Sequence, residues 1–90
     1  MINPEHRVTI EYCVPCGYRE RAVAEAGEIL RHWAPILVGL ELKTGTKGIF
    51  DVTVDDELVF SKGESKRFPE PGELVRRLEP KLGQSLDAYL

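Results

Sequence analysis

The sequence YCVPCGY, residues 12–18, contains the only two cysteines of the 90-residue chain, Cys13 and Cys16. It lies between two different hydrophobic patterns. Before it, apolar and polar residues alternate over residues 8–12, which is the period of a β-strand. After it, apolar residues recur at helical spacing over residues 22–33. A Cys-x-x-Cys sequence at the turn from a strand to a helix is typical of a dithiol redox site.

The helical pattern predicts a helix that buries one stripe of side chains against a sheet. Gly27 lies in the middle of this helix and is expected to allow close packing on the sheet, and Pro35 is expected to end the helix near Ala34. A largely apolar strand follows at residues 36–42, so that strand, helix and strand form a parallel, right-handed βαβ unit. The predicted buried stripe consists of Ala22, Val23, Ala26, Ile29, Leu30 and Trp33.

A β-hairpin is predicted after this unit. Residues 43–48 are rich in glycine and polar residues, and we expect them to form a loop. Strand patterns over residues 49–54 and 58–61 are separated by a short acidic link around Asp55 and Asp56. Two such runs with a short polar link are typical of a hairpin, although Asp-Asp is a weaker turn signal than Asn-Gly.

A second helix is predicted near the end of the sequence. Residues 62–68 form a polar connection, and residues 70–73 open the helix, with Pro71 in its first turn. Pro80 is expected to kink or end it. Residues 83–90 are expected either to add a short helical turn or to fray. The buried stripe of this helix is predicted to comprise Leu74, Val75, Leu78 and Leu82.

These elements give the order β-α-β-β-β-α in a single domain spanning residues 1–90. The order predicts an α/β (α+β sandwich) fold of thioredoxin-like type with two main helices. We expect a four-stranded mixed sheet in the order 2-1-3-4, in which the third strand is antiparallel to the others. Trp33, Phe50 and Phe60 are expected in its core, while Tyr12 and Tyr18 flank the cysteines and either line a groove or pack on the sheet.

Composition and charge argue against several classes of partner. The chain carries 12 basic and 15 acidic residues, a net charge of −3, so it lacks the basic surface typical of nucleic-acid binding. Its longest apolar run, residues 34–40, is too short to cross a bilayer, and residues 1–7 have no apolar segment of signal-peptide type. We therefore expect no membrane association and a cytoplasmic location, where paired cysteines are more often catalytic or redox-sensing than structural.

The chemistry expected of Cys13 and Cys16 is thiol–disulfide exchange. The thiolate is the nucleophile, and a nearby helix N-terminus or cation lowers the pKa of a thiol. Cys13 is expected just before the first helical turn and Cys16 within or at it, with Arg19 and Arg21 adding positive charge. One sulfur can then attack a partner disulfide and the other can resolve the mixed disulfide. The general logic of such motifs makes the N-terminal, exposed Cys13 the attacking thiol.

Two other interpretations of the cysteines remain. In the first, the cysteines are two inert, partly buried thiols. In the second, the cysteines form half of a zinc site. Zinc takes four ligands, and only His6 and His32 remain as candidates. His32 lies a helix length, about 24 Å, beyond Cys16, so a shared site within one chain is disfavoured. We accordingly expect neither a bound metal nor a resident cofactor.

Four sequence motifs resemble those of the selenoprotein W-like (Rdx) family of small thioredoxin-like proteins. They are EYCVPCGY at residues 11–18, TKGIFDV at 46–52, VFSK at 59–62 and RFP at 67–69, in that order. The resemblance implies a redox role for both cysteines, and glutathione has been implicated for some members. Selenoprotein members have selenocysteine at the second position of the motif. The resemblance therefore favours Cys16 as the primary reactive centre and Cys13 as its resolving partner.

The predicted function is that of a thiol–disulfide oxidoreductase that uses glutathione or protein thiols and disulfides as partners. The alternative is a redox-regulated protein-binding module, in which oxidation of Cys13 and Cys16 changes a surface without catalytic turnover. In a thioredoxin-like fold, the loop at residues 44–48 lies beside the redox motif and is either a partner contact or a plain connection. Exposed sheet edges allow weak pairing with a second copy, so we expect a monomer or a weak homo-oligomer.

Overall fold

The computed structural model describes residues 4–86 and confirms the predicted order of strands and main helices. One short helix lies in the stretch that was predicted to be only a polar connection. Among the described residues, no helix has the length and apolar character needed to cross a membrane. The elements are β1 (His6–Cys13), α1 (Arg19–Trp33), a 3-10 turn (Ala34–Ile36), β2 (Leu37–Gly45), β3 (Phe50–Val54), β4 (Glu57–Ser61), α2 (Lys62–Ser65) and α3 (Glu73–Leu82).

The four strands form one mixed sheet in the predicted order β2-β1-β3-β4. β1 and β2 run parallel, as the βαβ unit requires, and β3 runs antiparallel to both β1 and β4. Ile10 of β1 lies opposite Leu42 of β2 on one side and Val52 of β3 on the other. β1 is therefore a central strand, and a residue at its end has neighbours on both sides.

The core contains the three aromatic residues that the sequence placed there. Trp33 and Phe50 have no exposed surface, and Phe60 is 3% exposed. The Nε1–H of Trp33 donates a hydrogen bond of 2.9 Å to the carbonyl of Gly83, which ties the chain after α3 to the end of α1. Predictions for residues 87–90 lie outside the described part of the chain.

The buried stripe of α1 is narrower than predicted. Val23 is 51% exposed and Leu30 is 41% exposed. The buried face of α1 consists only of Ala22, Ala26, Ile29 and Trp33, which recur at helical spacing. The expectation that Gly27 packs closely on the sheet is also wrong. Gly27 is exposed, and a Cβ added there would meet no atom within 4 Å.

The hairpin turn at Asp55-Asp56 is confirmed. Both residues have positive φ, 51° and 69°, which is the mark of the type I′ turns that suit two-residue hairpins. The Asp55 carboxylate accepts a 2.9 Å hydrogen bond from the backbone N–H of Arg7 and lies 2.6 Å from Nδ1 of His6. These contacts with β1 hold an acidic residue in a conformation that glycine more often adopts.

The start and end of the last helix differ from the prediction. α3 begins at Glu73, after Gly72 in the left-handed conformation at φ 78°, so Pro71 precedes the helix instead of lying in its first turn. Pro80 does not end the helix, which continues to Leu82. A proline in the last turn removes only one hydrogen-bond donor from the helix, and the two residues after it complete that turn. Leu74, Leu78 and Leu82 are buried as predicted, whereas Val75, the fourth residue of the predicted stripe, is only partly buried.

A carboxylate bonded by two arginines that lie against a ring of β4 links α3 to the preceding loop and to β4. We call it the Phe60 cluster: Phe60, Arg67, Glu73 and Arg77. Arg67 donates two hydrogen bonds to the Glu73 carboxylate, at 2.6 and 3.0 Å, and Nε of Arg77 donates a third at 2.8 Å. The guanidinium carbons lie 5.9 Å (Arg67) and 5.5 Å (Arg77) from the Phe60 ring centroid. Both cations of this cluster therefore share an anion supplied by the protein itself.

Candidate redox site

The two cysteines form a disulfide at the end of β1. The Sγ atoms of Cys13 and Cys16 are 1.99 Å apart, and their Cα atoms are 5.3 Å apart. Cys13 is the last residue of the strand, and residues 14–17 form a turn that returns the chain toward the sheet. The structure therefore brings together both site residues that the sequence predicted.

The turn is closed by two backbone hydrogen bonds around Gly17. The N–H of Gly17 donates to the carbonyl of Val14 at 3.0 Å, and the N–H of Tyr18 donates to the carbonyl of Cys13 at 3.3 Å. Gly17 has φ 79°, and this pair of bonds with a left-handed glycine is the Schellman arrangement. Because this arrangement ends the turn, α1 begins only at Arg19. The prediction that Cys16 lies within or at the first helical turn is wrong: it precedes the helix.

The loop between β2 and β3 lies beside the turn. The N–H of Cys13 donates to the carbonyl of Ile49 at 2.9 Å, and the N–H of Val14 donates to that of Gly45 at 3.0 Å. A Cβ at Gly45 would lie 2.7 Å from Cγ2 of Ile49 and 3.0 Å from a carboxylate oxygen of Glu11, so only glycine fits there without a shift. The loop thus supports the site, and its contact with a partner remains a prediction.

The two cysteines differ in exposure. Cys13 has no exposed surface, whereas Cys16 is exposed, together with Val14 and Pro15. The expectation of an exposed Cys13 is therefore wrong. The reason is that Cys13 ends a central strand and is paired with Gly45 on one side and Ile49 on the other.

A second group of cations and aromatic rings adjoins the turn. We call it the Phe68 cluster: Tyr18, Arg21, Lys62 and Phe68. The rings of Tyr18 and Phe68 meet edge to face at 4.8 Å, and Phe68 also meets Phe50 at 5.4 Å. The Arg21 guanidinium carbon lies 4.4 Å from the Phe68 centroid, and Nζ of Lys62 lies 5.3 Å from it. This cluster places two cations next to the redox turn.

The two arginines expected to add positive charge at the site behave differently. Arg19 pairs with its neighbour Glu20 at 2.9 Å, and both side chains are about three-quarters exposed, at 74% and 80%. Arg21 instead lies against the Phe68 ring. The local positive charge therefore comes from Arg21 and from Lys62.

The two histidines considered as metal ligands, His6 and His32, each contact a residue other than the cysteines. His6 lies against Asp55, and Nδ1 of His32 is 2.5 Å from Oγ of Ser85. Over residues 4–86, no three His, Cys, Asp or Glu side chains are grouped so that they could hold a metal ion.

Comparison with known proteins assigns the family. The model of one family, described as the Rdx family, matches residues 7–80. This chain belongs to the Rdx family. Among curated proteins, Migration and invasion enhancer 1 of Bos taurus is 31% identical over 78 residues, which cover 84% of this chain and 66% of that protein. The Mus musculus protein of the same name is 30% identical over 71 residues, which cover 79% of this chain and 60% of that protein. This Rdx chain thus spans about two-thirds or less of the length of these relatives.

Solved structures agree with the fold. A selenoprotein W-related protein of Vibrio cholerae superposes with a TM-score of 0.82 at 20% identity, covering 87% of this chain and 98% of that one. A protein of Bordetella parapertussis superposes with a TM-score of 0.82 at 28% identity, covering 86% of this chain and 98% of that one. The selenoprotein W-like, thioredoxin-like fold is therefore confirmed. Family membership and the bonded cysteine pair together identify a redox-type protein.

The sequence pointed to the cysteines of this Rdx chain but gave no role to Lys62 or Phe68. Both residues lie within family-like motifs, VFSK and RFP, that carried no chemical interpretation of their own. Their position beside Tyr18 arises because α2 and the loop after it return the chain to the redox end of the sheet. No periodicity along the chain marks such a contact.

Proposed function

We propose that this Rdx chain is a thiol–disulfide oxidoreductase in which Cys16 exchanges with glutathione or a protein thiol and Cys13 resolves the mixed disulfide. The observation that carries the proposal is the unequal exposure of the bonded pair: Cys13 has no exposed surface and Cys16 is exposed. Exchange requires an incoming thiolate to reach the attacked sulfur. An outside partner therefore meets Cys16 first.

The exchange balances as a two-electron reaction. In the reduced protein, the Cys16 thiolate attacks a partner disulfide and forms a mixed disulfide, and the partner's other sulfur leaves as a thiolate. The Cys13 thiolate then attacks Sγ of Cys16, which re-forms the Cys13–Cys16 bond and releases the second partner thiolate. Two electrons pass from the protein dithiol to the partner, and the released thiolates take up protons according to their pKa. The same steps in reverse reduce the protein.

The proposal includes a cytoplasmic location, because a glutathione pool there supplies a reductant for such a cycle. No resident cofactor is required, since both electrons are held by the cysteine pair. Glutathione is a co-substrate in this scheme.

Turnover of a model disulfide tests the function directly. With glutathione as reductant, we expect the wild type to reduce 2-hydroxyethyl disulfide over many cycles, and the Cys13→Ser/Cys16→Ser variant to show only the uncatalysed rate.

The second candidate function, a redox-regulated binding module, is favoured by the exposed apolar residues Val14 and Pro15 beside Cys16. A single stoichiometric oxidation without turnover, accompanied by a change in affinity for a protein partner, would support the module instead.

Single substitutions test the order of attack. Cys13→Ser keeps the exposed thiol and removes the resolving one, so incubation with oxidised glutathione should leave a stable adduct on Cys16 that mass spectrometry detects. Cys16→Ser retains only the buried thiol and should accumulate far less adduct under the same conditions. Equal adduct formation in both variants would show that exposure does not decide which sulfur reacts.

A further inference from the structure

We propose that Arg21 and Lys62 form a carboxylate-binding subsite, which makes the exchange at Cys16 selective for small thiols that carry carboxylates near their sulfur, glutathione being the probe of this class. The inference rests on the proposed exchange at Cys16. It adds to that exchange a reason for preferring one class of thiol over another.

The Phe68 ring holds both cations in one small patch. The guanidinium carbon of Arg21 lies 4.4 Å from its centroid, and Nζ of Lys62 lies 5.3 Å from it and 5.5 Å from the Tyr18 centroid. The ring is itself fixed by edge-to-face contacts with Tyr18 and Phe50. Stacking on fixed rings restricts two long side chains before any ligand arrives, which lowers the entropy lost on binding.

Within the described part of the chain, the charges of this patch have no ion-pair partner. Over residues 4–86, no carboxylate oxygen lies within 4.0 Å of the charged nitrogens of Arg21 or Lys62, whereas nearby Arg19 is paired with Glu20. Two like charges on one ring repel each other, so a bound carboxylate relieves that repulsion and gains attraction to both cations.

The two acidic residues of α1 closest to Arg21 in the sequence do not take this role: Glu20 pairs with Arg19, and Glu25 forms no ion pair with Arg21. Glu25 lies one turn after Arg21 and is partly buried. Burial is the main cause that raises the pKa of Glu25, and Glu28 raises it further, while Arg21 only partly opposes them. No oxygen of the Glu25 carboxylate lies within 4.0 Å of a guanidinium nitrogen of Arg21, so the two side chains do not form an ion pair.

The patch is within reach of a tripeptide that reacts at Cys16. Tyr18 follows Cys16 by two residues, so their Cα atoms are at most about 7 Å apart. An extended tripeptide spans about 10 Å. Bonding through a central thiol leaves about half of that span to either terminal carboxylate, and the long side chains of Arg21 and Lys62 supply the rest of the reach to the patch beside Tyr18.

The experiment compares three thiols as reductants of the Cys13–Cys16 disulfide in the full chain. Glutathione carries two carboxylates, glutathione diethyl ester carries none on the same skeleton, and 2-mercaptoethanol reports exchange without peptide contacts. The rate of disulfide reduction is followed by quenching and thiol labelling for the wild type and for Arg21→Gln/Lys62→Gln. Arg19→Gln is the matched control, since it removes one nearby positive charge that is already paired. Each variant rate is divided by the wild-type rate for the same thiol, so that intrinsic thiol reactivity cancels.

We expect the double variant to slow reduction by glutathione about three- to tenfold relative to the diethyl ester, the size expected for two partly exposed ionic contacts. Arg19→Gln should leave that ratio unchanged. In the double variant the 2-mercaptoethanol rate should fall less than the glutathione rate, because it reports only the general loss of positive charge near the cysteines. An unchanged ratio in the double variant, or an equal fall for all three thiols, overturns the subsite.

A measurement without exchange separates the subsite from the proposed function. S-methylglutathione keeps both carboxylates but cannot react, and its binding can be followed by NMR shifts of Tyr18 and Phe68, which the wild type and the double variant both contain. Shifts in the wild type that disappear in the double variant support the subsite even if the cysteines fail to turn over. Identical shifts in both proteins, or none in the wild type, contradict it.

Discussion

Two phenylalanines in this chain are each flanked by two cations, and only one of the two groups contains its own anion. In the Phe60 cluster, Arg67 and Arg77 both bond to Glu73, whose side chain is only 8% exposed. In the Phe68 cluster, Arg21 and Lys62 share a ring but have no carboxylate within ion-pair distance among residues 4–86.

The difference separates a group that stabilises the fold from one that is open to a ligand. The hydrogen-bonding capacity of Glu73 is used within the protein, by two guanidinium groups and by the backbone N–H of Glu70 at 2.9 Å. Such a group fixes the start of α3 against the loop before it. The Phe68 cluster is next to the exposed Cys16 turn, and its two cations have no carboxylate within ion-pair distance among residues 4–86, as the proposed subsite requires. The same residue types therefore serve different roles, depending on whether an anion is built in.

Truncating the two rings should have the largest effect and an unequal one. Phe60 is 3% exposed, so Phe60→Ala should lower the free energy of unfolding by about 3–5 kcal/mol through lost burial and a cavity. Phe68 is only partly buried, and Phe68→Ala should cost about 1–2 kcal/mol. Urea unfolding monitored by circular dichroism measures both values. Equal losses would remove the distinction between a core ring and a surface ring.

Removing the anion of the Phe60 cluster should have the next largest effect. Glu73→Gln leaves two guanidinium groups without their carboxylate, and we expect a loss of about 1–3 kcal/mol in the free energy of unfolding. The exposed Glu64→Gln is the matched control and should change it by less than about 0.5 kcal/mol. A value for Glu73→Gln within the control range would mean that the cluster does not stabilise the fold.

Acid should weaken the Phe60 cluster selectively. Hydrogen bonds from Arg67 and then from the Glu70 N–H hold the pKa of the Glu73 carboxyl well below its ordinary value of 4.5, with a further contribution from Arg77. Because the pKa is lowered by folding, this stabilisation is complete above the unfolded-state pKa and is lost as pH falls toward the folded-state value. Stability should therefore decline below about pH 4.5. Urea unfolding as a function of pH should show a shallower decline for Glu73→Gln, and parallel curves would contradict this.

Neutralising the Phe68 cluster should have the smallest effect on stability. Because Lys62 has no ion pair to lose within residues 4–86, we expect Lys62→Gln to change the free energy of unfolding by less than about 0.5 kcal/mol. The same urea assay applies. A loss as large as that of Glu73→Gln would assign Lys62 a structural role and weaken the case for a ligand site.

Much of the fold could be predicted from patterns that are local in the sequence. Strand, helix and strand in succession imply a parallel pair, and the two-residue link at Asp55-Asp56 implies a hairpin. The order in which the two pairs join came from the thioredoxin-like layout of the elements, and the sheet confirms it. The short α2 was missed because four residues have no apolar periodicity. Its start depends on Ser61, whose hydroxyl accepts a hydrogen bond from the N–H of Glu64 at 3.4 Å.

The site was predicted in part. Cys13 and Cys16 could be identified because two sulfurs three positions apart can bond. The burial of Cys13 could not be predicted, because it depends on Gly45 and Ile49, which lie more than thirty residues further along the chain. The position of Lys62 likewise depends on tertiary contacts. Long-range packing thus decides which sulfur is exposed.

A redox titration of the full chain in glutathione buffers, with mass-spectrometric trapping of free thiols, tests the central claim most directly. The account predicts that Cys13 and Cys16 lose their thiols together in one two-electron transition, with a slope of about 30 mV per tenfold change in the oxidised-to-reduced ratio. Any glutathione adduct seen along the transition should be on Cys16. Separate oxidation of the two cysteines, adducts on Cys13, or free thiols throughout the range would contradict it.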